Sequence, residues 1–139
     1  MKPVLFLGLC LVLLGCQPTS PEDFQAEGRS SMRSLIKELK AIESREDLAL
    51  SEPRLKKQFE KLVDIIIQAR LFQQKNPEME ASWDRLNISL NQILIDEMKR
   101  VYLIEGGREC VERAQREAML RLDAKEKLLE KQQSVIRVK

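Results

Sequence analysis

The apolar positions form one continuous block followed by four spaced stripes. Val4 to Leu14 is unbroken, well short of the ~20 residues a helix needs to cross the hydrocarbon core of a bilayer. Met32, Leu35, Ile36, Leu39 and Ile42 then recur at three- and four-residue spacing and predict an amphipathic helix. Ser20-Pro21-Glu22-Asp23 supplies its start: a capping hydroxyl, a first-turn proline and acids that suit the positive end of the helix dipole. Gly28 weakens the first turns, so the firm part is expected from Ser30, and the stripe fades over Ser44 to Leu50.

Ser51-Glu52-Pro53 reads as a second start, followed by Leu55, Phe59, Leu62, Val63, Ile66, Ala69 and Leu71. Ile65-Ile66-Ile67 alone would suit a strand, but the charged residues around it keep helical spacing. Asn76-Pro77 ends this element, because the residue before a proline avoids the α region. A third helix is expected from Pro77-Glu78 through Met79, Trp83, Leu86, Leu90, Ile93, Leu94 and Val101, with Glu97 interrupting the stripe. Ile88 and Ile95 widen its apolar surface, so it is expected to be the most buried, with Gly106-Gly107 closing it in a left-handed turn. The fourth helix is expected from Arg108 to about Gln133, on a thinner stripe of Val111, Ala114, Ala118, Leu122 and Leu129. Glu109–Arg113, Glu112–Arg116, Glu117–Arg121 and Asp123–Lys127 are acid-before-base pairs that would support it along its own length. Short links between consecutive helices favour antiparallel neighbours. The fold expected is all-α: a small antiparallel bundle of three to four helices, either closed by the fourth or with that helix protruding.

Composition narrows the function. The chain has 139 residues, with 24 Lys and Arg against 22 Asp and Glu and no histidine. Near-cancelling charge and few aromatics argue against a dedicated nucleic-acid binder. Without histidine there is no His-based triad and no His pH switch, and most zinc sites are excluded. Charge is unevenly spread: Glu22–Glu52 carries eight acids and five bases, Pro53–Asn76 two and six, Pro77–Gly107 six and three, and Arg108–Lys139 six and nine. The sign alternates from helix to helix, which would favour packing between sequence neighbours.

Lys2 and the apolar run to Leu14 have the charged start and length of a secretory signal. The run ends in Leu13-Leu14-Gly15-Cys16. Here the chain resembles bacterial lipoprotein precursors, whose lipobox has Leu three residues before the Cys and a small residue just before it. Leu13, Gly15 and Cys16 match, while Leu14 is bulkier than the usual Ala, Ser or Thr. The resemblance covers the first sixteen residues and is silent on the rest. It implies S-diacylglycerol on the Cys16 thiol, cleavage between Gly15 and Cys16 by signal peptidase II, and N-acylation of the new amine. Two or three chains hold a protein far more firmly than one. Gln17, a residue other than Asp after the Cys, implies the outer membrane in enteric bacteria. The organisation expected is then 1–15 signal peptide, 16–20 lipidated Cys and short linker, 21–134 helical domain and 135–139 frayed basic tail. Cys10 leaves with the signal, so Cys110 would be the only free thiol and no intramolecular disulfide would form.

Candidate chemistry is sparse. Asp96-Glu97 is the nearest to a carboxylate pair, but adjacent helical residues point about 100° apart and do not converge. Glu78 and Glu80 suit a helix N-terminus. Trp83 and Tyr102 lie too far apart along one helix to form an aromatic box, and Trp83 reads as a core anchor. Cys110 reads as a small buried hydrophobe, with an intermolecular disulfide as the alternative. Lys56, Lys57 and Lys61 form a basic face that is either solvated or docks on anionic headgroups. The chain ends in Arg137-Val138-Lys139. The major outer-membrane lipoprotein of enteric bacteria also ends in a lysine, joined there to peptidoglycan. That protein is an uninterrupted heptad helix, whereas Pro53, Pro77 and Gly106-Gly107 break this one. No catalytic, cofactor or metal site is expected.

The function expected is that of a non-enzymatic envelope adaptor or assembly factor with a helical protein-binding domain, in the manner of pilotins, on fold-level analogy alone. The alternative is a structural, membrane-surface or cell-wall-binding lipoprotein using its basic helix faces. A cell-envelope protein partner and the membrane are expected, and nucleic acid is not.

Overall fold

A computed structural model of the chain describes residues 18–78 and 88–137, with side chains described over 18–78 and 89–132. The described residues form α1 (Pro21–Lys40), α2 (Arg45–Lys75), α3 (Ile88–Tyr102) and α4 (Gly107–Arg137) and include no strand. The helical bundle expected from the stripes is the fold. The lipobox with Cys16, together with Met79, Glu80, Trp83, Leu86 and Val138-Lys139, lies outside the described residues.

α1 begins as its sequence dictates. Ser20 Oγ accepts from the Asp23 amide at 3.2 Å, and the Asp23 carboxylate accepts from the amides of Thr19 at 3.1 Å and Ser20 at 3.2 Å. The first turns are firm despite Gly28. Phe24 is buried against Phe72 with ring centroids 5.4 Å apart, in a small cluster with Ile65 and Ala69.

The second start lies elsewhere than expected. α2 opens at Arg45, a turn and a half before Ser51, and Pro53 sits inside it. Asp47 is the signal that was hidden in the fading stripe. Its carboxylate accepts from the amides of Glu43 at 3.0 Å and Ser44 at 2.9 Å and from the Ser44 hydroxyl at 2.9 Å. Burial of Leu48 and Ser51 ahead of the proline offsets the backbone bond that the ring removes.

The helices run alternately up and down, and the principal core brings Leu35, Leu39 and Ile42 together with Leu55, Phe59, Val63, Val101, Val111 and Ala114. Going round the bundle the order is α1, α2, α4, α3. The consecutive helices α2 and α3 barely touch, contrary to the expected pairing of sequence neighbours. The most extensive pairing instead joins α2 to α4, two helices running the same way. Through Gln132 α4 stays packed along α2. Leu129 is buried, and Gln74 still meets Gln132 at 3.5 Å. Its backbone stays helical to Arg137.

Arg108 and Glu112 pair along α4 at 2.7 Å, but four further charges of α4 are spent on α2. Glu52 takes Arg113 at 2.7 Å, Lys56 takes Glu117 at 2.7 Å, Asp64 takes Arg121, and Arg70 takes Glu126 at 3.5 Å. The sign on α2 alternates at each step, so sliding α4 by one turn would set Glu52 against Glu117 and Lys56 against Arg121. These exposed pairs add little stability but penalise the wrong register.

α3 is not the most buried helix. Among its described side chains only Val101 is fully enclosed, while Leu94, Met98 and Tyr102 pack on the core from outside. Nor do the two glycines close it with a left-handed cap on its last turn. α3 ends at Tyr102, and the Leu103 and Ile104 amides turn back to Arg100 and Val101. Gly106, at φ +80°, redirects the chain, and Gly107 is the first residue of α4. A Cβ on Gly107 would stand 2.0 Å from the Val101 carbonyl oxygen, so this close crossing requires glycine.

Candidate functional site

The residues singled out for chemistry are placed apart and given structural work. Asp96 accepts from Gln92 Nε2 at 2.9 Å, and Glu97 accepts from Arg100 Nε at 2.8 Å, so the two carboxylates face separate partners. Arg100 in turn donates from Nη1 to the Ile42 carbonyl at 2.8 Å and from Nη2 to the Leu39 carbonyl at 2.7 Å. The guanidinium thus satisfies the Ile42 carbonyl, adds a bond to the Leu39 carbonyl that already accepts from the Ile42 amide, and fastens α3 to the end of α1. Glu97 interrupts the α3 stripe because it orients that arginine.

Cys110 is enclosed in the core, 1% exposed, with its thiol donating to the Leu48 carbonyl at 3.5 Å. Burial first, then the charge of Glu52 beside it, pushes the thiol pKa up. A neutral, enclosed thiol is a poor nucleophile and is out of reach of a second chain while the bundle is closed. Tyr102 is half-buried against the core, and burial raises its phenol pKa. Glu78 lies in the turn after α2. Among the described residues no group of three or more Cys, Asp or Glu side chains could hold a metal ion. No described helix is long and apolar enough to cross a membrane.

Two surfaces remain, and they differ in kind. On the first, α1 presents Arg29, Arg33, Lys37 and Lys40 along its outer side, and α2 adds Lys57 and Lys61. None of the six takes part in an ion pair with another described residue. Lys56, read with Lys57 and Lys61 as one basic face, belongs instead to the α2–α4 seam, where Glu117 holds its ammonium pKa above the usual lysine range. The α1 half of this surface was missed in the sequence, although the four-residue spacing of Arg29, Arg33 and Lys37 was there to be read.

The second surface is apolar. Ile93 and Ile95 on α3, Leu103 in the turn, and Met119, Leu120 and Leu128 on α4 are all exposed, Leu103 to 88%. On α1 and α2 the corresponding set is Leu50 alone among the described residues. Ile95, one of the two positions that suggested burial for α3, is exposed instead. No protein-family model, no curated protein and no solved structure matches this chain.

Proposed function

We propose that this protein is a lipid-anchored, non-enzymatic adaptor or assembly factor of the bacterial cell envelope, held on Cys16 in the outer membrane and facing the periplasm. Its helical domain binds another envelope protein through the apolar α3–α4 surface. The observation that carries this reading is the exposure of Ile93, Ile95, Leu103, Met119 and Leu120 on α3, α4 and the turn between them. Exposed large apolar side chains concentrated on two of four helices favour a protein contact there. The separate partners of Asp96 and Glu97 and the enclosure of Cys110 support a binding role over a catalytic one. The lipobox supports the anchor.

Two measurements test the two halves. Labelled fatty acid should enter the protein and be lost with Cys16→Ser, and the mature chain should begin at Cys16; absence of label removes the anchor. Cells carrying the native surface or Ile95→Asp with Leu103→Asp should differ in one co-purified envelope protein, captured by the first and lost from the second. Identical sets of captured proteins would remove the adaptor reading.

A further inference from the structure

We infer that the α1–α2 surface is a docking face for an anionic phospholipid bilayer, so that the bundle lies along the membrane and does not stand on its tether. This rests on the anchored reading for its place in the cell, but the surface is tested without the anchor.

The arrangement is linear. Arg29, Arg33, Lys37 and Lys40 follow one another along the outer side of α1, a stretch of about 16 Å at the helical rise. α2 runs antiparallel beside it, with Arg54 bonded to Glu38 at 2.9 Å, and its own Lys57 and Lys61 extend the positive strip sideways. The acids beside the strip are spent or turned away, while Glu22 and Glu27 precede it and Glu43 and Glu46 follow it along the chain. Glu38 is held by Arg54, and Glu60 lies beside Lys56 on the flank that meets α4. Asp64 is taken by Arg121 and Asp23 by the start of α1. From Gly28 to Lys37, α1 contains no acid at all.

The tether fixes which flat, anionic object is within reach. Gln17 to Ser20 spans roughly 14 Å when extended. A chain anchored at Cys16 therefore keeps the α1 N-terminus near the headgroups, and a positive strip along α1 brings the whole helix down onto them. Leu50 falls on this reading as well. It stands on α2 at helical spacing with Arg54, Lys57 and Lys61, is 71% exposed, and is placed to enter the headgroup layer at the far end of the strip. With α1 and α2 lowered, α3 and α4 with their apolar side chains face away from the bilayer.

The test uses the chain from Gln17 onward, whose residues supply every helix described, with circular dichroism to verify the fold of each variant. It should co-sediment with vesicles containing about 30% phosphatidylglycerol, pass through neutral vesicles unbound, and be released by added salt. Arg33→Glu with Lys37→Glu should weaken binding at least about tenfold, whereas the same net change on α4, Arg116→Glu with Lys127→Glu, should weaken it less than about threefold. Equal losses in the two variants, no binding to anionic vesicles, or preferential capture of duplex DNA would each overturn the inference. The fatty-acid label is scored separately. Label without vesicle binding overturns this surface and keeps the anchor, whereas vesicle binding without label keeps the surface and removes the anchor.

Discussion

α1 and α2 carry a strip of basic side chains outside every ion pair between described residues, and α3, α4 and the turn between them carry six of the seven exposed large apolar side chains, although all four helices were built from similar amphipathic stripes. The difference lies in what happens to charge at the seam between them. Where α2 meets α4, acids and bases of both helices neutralise one another in a fixed register. Arg29, Arg33, Lys37, Lys40, Lys57 and Lys61 lie beyond that seam and keep their charge. On α3, Leu94, Met98 and Val101 suffice to reach the core, so Ile93 and Ile95 are left outside. A surface can thus be set apart by what the core and the seam do not use.

The largest expected effect removes both surfaces at once. Leu39 is fully buried where α1 enters the core, and Leu39→Ala should cost about 2–5 kcal/mol of stability in chemical denaturation. Vesicle binding and partner capture should fall together. If one survives intact in a visibly unfolded chain, the two faces do not depend on a shared fold.

Arg100→Ala should separate the faces. It removes two charge-assisted bonds to the end of α1, worth about 1.5–3 kcal/mol, and loosens α3 while leaving the α1–α2 pairing in place. Amide exchange should rise in α3 before α1 and α2, and partner capture should fall more than vesicle binding. Uniform protection loss would mean that the bundle has no such division.

At the seam, Arg113→Glu should lower stability slightly in chemical denaturation, and Glu52→Arg on the same chain should restore part of it; a strictly additive pair would show that no register is enforced. Arg113 holds the Glu52 carboxyl pKa below the usual range, Lys56 does the same for Glu117, and the Glu43 and Ser44 amides and Ser44 hydroxyl do so for Asp47. A carboxyl with a lowered folded-state pKa contributes stability that is present above its unfolded value and lost as pH falls through the folded one. Stability should therefore hold at neutral pH and decline below about pH 4. A decline centred near pH 6 would contradict these assignments.

The smallest effect on stability is expected from Ile95→Ser, within about 0.5 kcal/mol by thermal melting, because the side chain is 45% exposed. Its effect should appear in partner capture alone. A melting point lowered by many degrees would place Ile95 in the core and remove it from the surface.

Much of the bundle was legible in the chain because its signals are local. Ser20 and Asp23 cap α1, Leu35, Leu39 and Ile42 face inward together, and Leu55, Phe59 and Val63 do the same on α2. What could not be read was non-local. Pro53 outweighed the quieter Ser44–Asp47 cap because a proline punctuates more loudly than a carboxylate, yet the burial of Leu48 carried the helix through it. The i,i+4 partners Glu109–Arg113 and Glu117–Arg121 competed with Glu52, Lys56 and Asp64 across the seam, and spacing alone does not rank them. Period also fails to tell an inward apolar stripe from an outward one, which is why α3 was expected to be buried. The candidate surfaces were half visible: Lys57 and Lys61 stood out, while the α1 stripe gained meaning only when α2 was laid beside it.

The account turns on the two sides facing different neighbours. Photo-crosslinking side chains placed at Lys37 and at Ile95 in intact cells test this directly. The expected result is lipid adducts without a discrete protein adduct at Lys37, and one discrete protein adduct at Ile95. The same protein adduct at both positions, or lipid adducts at Ile95 and none at Lys37, would contradict it.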